Sequence, residues 1–164
     1  MMRRYFTHLM HSRLAIGRAF PEATLTAIEV AVREAERGHA GQIRFAIEAA
    51  LDWRELRAGL DARARAIDVF SFLRVWDTEQ NNGVLIYVLL ADRDVEIVAD
   101  RGIHRRVRGP EWEQVCHGME SHFSAGRFQE GALEGIQRVG EILSRHFPPD
   151  SSPHNELPDW PEVL

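Results

Sequence analysis

Asn81-Asn82-Gly83-Val84-Leu85-Ile86-Tyr87-Val88-Leu89-Leu90-Ala91-Asp92-Arg93-Asp94-Val95-Glu96-Ile97-Val98-Ala99 is the stretch that decides the fold. From Val84 to Leu90 there is no polar alternation, so neither side of this strand faces water. A strand apolar on both faces is central and covered by helices on each side. Asp92-Arg93-Asp94 is a tight polar break, and the alternating Val95, Glu96, Ile97, Val98 and Ala99 form the second arm of a hairpin.

Upstream, Gln42 to Ala49 repeats with period two: Ile43, Phe45 and Ile47 face one way, Arg44 and Glu48 the other. Between the two strands Asp52 and Glu55 have capping-box spacing, and Leu56, Leu60, Ala64, Ile67 and Leu73 predict one long helix. Strand, helix and strand make a parallel βαβ crossover, right-handed by the usual rule. The flanks are helical. Residues 3–17 carry Phe6, Leu9, Met10 and Leu14 at helical spacing; Pro21 opens a second helix that Gly38 stops; Pro110 opens a third that ends at Gly126; residues 128–147 form the last. The expected class is therefore α/β: a three-layer α/β/α sandwich around a small mixed sheet, the parallel crossover plus one antiparallel hairpin strand. The chain divides into an N-terminal helix (1–20), the α/β/α domain (21–147) and a Pro-rich tail (148–164). With five prolines in seventeen residues, the tail is expected to be a loose surface segment that adds little stability.

Composition narrows the function. A chain of 164 residues with net charge −5 is one domain without the basic face of a general nucleic-acid binder. All 20 basic residues are Arg, so neither Schiff-base lysine chemistry nor a P-loop lysine is available. Cys116 is the lone cysteine, which excludes an internal disulfide and a thiolate zinc cage within one chain. The first twenty residues are interrupted by Arg and His and do not read as a signal peptide, and the run from Val84 to Ala91 is far short of the ~20 residues of a membrane span. These features predict a cytoplasmic chain with no membrane span.

The topology concentrates polar loops at one end. His39 precedes the first strand; Asp77, Glu79, Asn81, Asn82 and Gly83 precede the second; Asp100, Arg101, Gly102 and His104 follow the antiparallel third. Asp77, Asp100 and His104 are the candidate metal ligands, and Asn81, Asn82, Gly83, Arg101 and Gly102 the candidate binding residues. The rule for open α/β sheets puts sites at the opposite, carboxyl ends of parallel strands; here residue density favours the amino ends.

The order and spacing of Trp76, Asn82-Gly83-Val84-Leu85-Ile86, the Asp92-Arg93 turn, Glu96-Ile97 leading into Gly102, and Gly126-Arg127-Phe128 with Gly131-Ala132-Leu133 resemble the TPM domain family over roughly residues 21–146. Its members include a thylakoid-lumen acid phosphatase, photosystem-II repair factors and a receptor-modulating animal protein. The resemblance implies an α/β/α fold and, for some members, calcium binding and phosphatase activity. Many relatives are secreted or anchored; with neither a signal nor an anchor legible in it, this chain is expected to be a short cytoplasmic form. The family's Gly-aromatic-Gly-Leu-Glu turn reads Asp100-Arg101-Gly102-Ile103-His104 here, placing His104 where the family has glutamate. Calcium takes oxygen ligands, so this exchange moves the implied divalent metal toward a transition ion. Two functions follow: a metal- or anion-binding accessory module that presents the domain to a protein partner, or a metal-assisted phosphatase with Asp77 and Asp100 as ligands and Arg101 on the phosphate.

Other motifs have plainer readings. Asp92-Arg93-Asp94 superficially resembles a two-carboxylate phosphatase motif, but another strand follows at once, and turn residues explain it better. Cys116 and His117 are helix neighbours about 100° apart and form no dyad; Cys116 reads as a small core residue. His8 and His11, one turn apart, read as a solvated face, and Arg105, Arg106 and Arg108 as a solvated basic loop.

Overall fold

A computed structural model describes residue 8, residues 13–149 and residues 155–164. Its elements run α1 (Arg13–Ala19), α2 (Glu22–Glu36), β1 (Gln42–Glu48), α3 (Trp53–Arg57), α4 (Ala62–Phe72), β2 (Gly83–Leu89), β3 (Asp94–Ala99), α5 (Arg101–His104), α6 (Gly109–Ser124), α7 (Phe128–His146) and β4 (Glu162–Val163). The sheet order is β3-β2-β1-β4. β1 and β2 pair in parallel from Gln42↔Gly83 to Glu48↔Leu89, and β2 and β3 pair as an antiparallel hairpin from Leu89↔Asp94 to Val84↔Ala99. The α/β fold read from the central strand is the one observed.

Every residue of β1 and of β2 is buried, because helices cover both faces. On one face Ile43, Phe45, Ile47, Val84, Ile86, Val88, Val95 and Ile97 pack against α1, α2, α6 and α7. On the other, Ala46, Leu85, Tyr87, Leu89 and Val98 pack against α3, α4 and Leu157 of the tail. Arg44 and Glu48, which alternation alone would send to solvent, are buried on that second face. Glu48 is made tolerable there by a bidentate ion pair from Arg65 (2.8 and 2.9 Å) and by the Tyr87 hydroxyl, which donates to it at 2.6 Å.

Four expectations are corrected. The single long crossover helix is two. The capping box at Asp52 starts α3, which closes at Ala58, and Asp61 caps α4 by accepting from the Ala64 amide at 2.8 Å. The break re-phases the helix, so Ala62, Ala66, Val69 and Phe70 are buried while Ile67 is exposed. The first helix passes Gly17 and ends at Ala19; its predicted beginning and His11 lie outside the described residues. His8 is not on a solvated face but buried, its Nδ1 accepting from the Leu51 amide and its Nε2 donating to Asp92 Oδ1, both at 2.9 Å. Residues 155–164 do not drape loosely, because β4 extends the sheet beside β1 and Leu157 enters the second core. Proline density hid this strand. A proline lacks an amide donor but still fits an edge strand.

Candidate functional site

The loops at the amino ends of β1 and β2 and the carboxyl end of β3 are knitted into one junction by main-chain bonds. Asn81 adopts a left-handed conformation (φ 53°), which asparagine tolerates, and its carbonyl accepts the Gly102 amide at 3.1 Å. The Asn82 carbonyl accepts from Gln42 at 3.0 Å, and the Gly83 carbonyl from Asp100 at 2.9 Å. Three strand ends are thereby fixed against one another. Two glycines permit this closeness: a Cβ on Gly83 would lie 2.1 Å from the Val75 carbonyl oxygen, and one on Gly102 2.4 Å from that of Asn81.

Inside this frame sit polar side chains with unused capacity. Asn82 is buried; its amide nitrogen donates to the Ala40 carbonyl, which fixes the orientation of the side chain, and its Oδ1 has no partner. Asp100 caps α5, with Oδ1 accepting from the Arg101 amide at 2.7 Å, while its buried Oδ2 has no partner. His39 is buried, its Nδ1 placed 3.0 Å from the Gly41 carbonyl. A carbonyl only accepts, so Nδ1 carries the hydrogen and Nε2, also unpartnered, keeps its lone pair. Burial pushes the His39 pKa below its ordinary value, which keeps the ring neutral. Among the described residues, two of the four buried side-chain nitrogen or oxygen atoms without a partner, Asn82 Oδ1 and Asp100 Oδ2, belong to this junction, whereas His39 Nε2 lies on the α2–α7 side, 3.7 Å from where a Cβ on Gly140 would stand.

The predicted residues divide accordingly. Asn81, Asn82, Gly83, Asp100, Arg101 and Gly102 are brought together by the main-chain bonds. Asp77 instead holds Arg74 in an exposed ion pair, and His104 contributes its amide to the Asp100 carbonyl (2.9 Å) while the residue itself is exposed. Among the described residues no three His, Cys, Asp or Glu side chains are grouped to hold a metal, so Asp77, Asp100 and His104 do not form one ligand set. The Arg101 side chain is 73% exposed with its Nε 4.0 Å from Asp100 Oδ1, a contact worth little in water. Two contributors escaped the sequence reading. Thr78 accepts the Asn82 amide on its hydroxyl at 3.0 Å, and Ala40 offers its carbonyl. A threonine four residues before an asparagine is the only signal that pointed to the first.

Elsewhere the nucleophile candidates are quiet. The Cys116 thiol is pushed up to about 12, chiefly by burial, so it stays protonated. Arg106 stacks on Phe147 at 4.7 Å and donates to the His146 carbonyl at 2.8 Å, which ties one member of the basic loop to α7. No helix of the described residues is long and apolar enough to cross a membrane.

A mixed sheet between helical layers, with three strand ends sewn together by Asn-Gly and Asp-x-Gly turns, defines an α/β domain of one family. The sequence profile described as the TPM domain matches residues 18–142, and the chain belongs to that family. It is similar to the BA42 protein of the psychrophilic bacterium Bizionia argentinensis, with 32% identity and a TM-score of 0.76 over 87% of this chain and 93% of that one. The N-terminal domain of a P. gingivalis protein shares the fold at 18% identity and TM-score 0.62, covering 82% of this chain and 81% of that one. So does the N-terminal domain of the cg2496 protein of Corynebacterium glutamicum, at 14% identity and TM-score 0.56, covering 81% and 80%. A search of curated proteins returned no match.

Proposed function

We propose that the domain is a cation-binding accessory module, in which the Asn82–Asp100 junction takes one divalent ion and thereby stiffens the loop-rich end for a protein partner. One observation carries this reading: two buried oxygens, Asn82 Oδ1 and Asp100 Oδ2, have no partner although their strand ends are hydrogen-bonded neighbours. A buried carboxylate oxygen left unsatisfied is costly, and a bound cation or water removes that cost. Both atoms are hard oxygen donors, which suits calcium or magnesium better than the transition ion suggested by His104. With a single carboxylate the site is a weak one, with a dissociation constant on the order of 10⁻⁴–10⁻³ M. The ion would neutralise Asp100, and Asn82 and Asp100 would hold it.

The name of the matching profile, TPM phosphatase, keeps hydrolysis as the rival reading. It has less support from the residues. Thr78 uses its hydroxyl oxygen on the Asn82 amide and Asp100 caps a helix, so neither stands as a free nucleophile beside a base. Titration of the full chain with calcium, magnesium and zinc, followed by amide NMR, tests the proposal. Shifts centred on residues 81–83 and 100–104, lost in Asp100→Asn, are expected, with no turnover of an aryl phosphate. No shift with any ion at millimolar concentration removes the cation site; metal-dependent turnover replaces the accessory reading with the hydrolytic one.

A further inference from the structure

The C-terminal segment and the Asn82–Asp100 junction share one hydrogen-bonded frame. Gln42, at the start of β1, serves both through different atoms. Its main-chain amide donates to the Asn82 carbonyl at 3.0 Å, while its side-chain oxygen accepts the amides of Glu156 (2.7 Å) and Leu157 (3.2 Å). Both segment groups are donors, which fixes the orientation of the buried Gln42 side chain. A second tie runs beside the first: a Glu156 carboxylate oxygen accepts the Glu79 amide at 2.9 Å. Glu79 stands within the turn from Thr78 to Asn82. Thr78 closes that turn by accepting the Asn81 amide on its carbonyl (3.2 Å) and the Asn82 amide on its hydroxyl (3.0 Å). Glu156 and Leu157 thus hold the turn that carries Asn82 at both of its ends, one directly and one through Gln42. Their own seat is fixed from the far side, where Leu157 enters the second core and Arg44 donates to the carbonyls of Pro158 (2.9 Å) and Trp160.

We propose that the docked segment regulates the cation site, with Glu156 as a positioning residue that holds the Thr78–Asn82 turn, so that ion binding and segment docking strengthen each other. The inference deepens the cation-binding reading above and rests on it. Asn82 Oδ1 and Asp100 Oδ2 belong to different loops, so an ion between them is held well only while the turn keeps Asn82 in register with Asp100. A site with one carboxylate has little binding energy with which to order a loose turn, and it gains most from one ordered in advance. The left-handed backbone of Asn81 is a conformation that surrounding bonds must hold. Coupling of this kind is reciprocal: the factor that docking adds to ion affinity is the factor that the ion returns to docking.

The test is titration of the full chain with calcium and with magnesium, read by amide NMR at residues 81–83 and 100–104, for wild type, Glu156→Ala and Glu156→Gln. Hydrogen exchange of the Leu157 amide is followed in the same samples. Both variants lose the charge, but glutamine still offers an oxygen to the Glu79 amide. Glu156→Ala is expected to weaken ion binding severalfold, and Glu156→Gln to bind as the wild type does. A saturating ion is expected to slow Leu157 exchange by a similar factor in wild type and Glu156→Gln, but not in Glu156→Ala. Equal weakening in both variants overturns the positioning role, because the charge alone then acts. Unchanged affinity in both, or Leu157 exchange indifferent to the ion in the wild type, overturns the coupling and leaves the cation site standing. No shift with either ion in the wild type removes the site that these two oxygens would form, and this inference falls with it.

Discussion

Two buried polar regions of this domain differ in how completely they are satisfied. On the second face of the sheet, Glu48 receives Arg65 through both oxygens and Tyr87 through one, and Arg65 also reaches Glu55 at 3.3 Å. These groups lock α4 to β1 and β2, and the network leaves Glu48 no idle oxygen. At the junction of the amino ends of β1 and β2 with the carboxyl end of β3, by contrast, Asn82 and Asp100 each keep one buried atom without a partner. Both regions are fixed by hydrogen bonds, but only the second has capacity left over. A closed polar network accounts for itself as structure, whereas buried groups with unused capacity leave room for a water or an ion.

The largest expected effect breaks the closed network. Glu48→Ala leaves Arg65 without its main partner on the sheet, and about 3 kcal/mol of stability should be lost by urea unfolding. A loss below about 1 kcal/mol would show that water replaces Glu48 easily and that the region is not closed. Next comes Glu36 on α2, an intermediate case, whose Oε1 takes the Ile43 amide at 2.6 Å and whose carboxyl is pushed up to about 8, chiefly by burial and further by Asp159. The folded chain holds this proton more tightly than the unfolded chain, whose Glu titrates near 4.5. Its contribution therefore falls as pH rises from the unfolded to the folded value and is constant above about 8. Glu36→Gln keeps the acceptor for Ile43 without a charge, so it should match the wild type near pH 4 and exceed it in stability at pH 9. Thermal unfolding across this range checks it, and parallel pH profiles for the two chains would disprove the assignment. The smallest effect belongs to Arg101→Ala at the open junction. With an exposed guanidinium, stability should change by less than about 0.5 kcal/mol. Removing a competing positive charge should also tighten cation binding slightly, and weaker binding in the same titration would mean that the Arg101 side chain helps to hold Asp100 in place.

Much of the frame was legible in the chain. The unbroken apolar run at Val84–Leu90 could only be a central strand, and Asp92-Arg93-Asp94 could only turn it back, because backbone propensity and burial agree there. Asn82 and Asp100 were legible as members of one junction because topology carries both to the same end. Asp77 and His104 were not separable from them by sequence. Whether a loop side chain turns inward or pairs with a neighbour such as Arg74 depends on distances that periodicity does not encode.

By itself, then, the sequence determined the local elements and the βαβ-plus-hairpin order, through patterns of period two and 3.6 and through turn chemistry. Tertiary structure alone decided the break between α3 and α4, the burial of Arg44, Glu48 and His8, and the docking of residues 155–164 as a fourth strand. The physical reason is the same in each case. A charged, imidazole or proline-flanked residue looks solvent-bound in a linear pattern, and only a partner supplied by a distant segment makes its burial favourable.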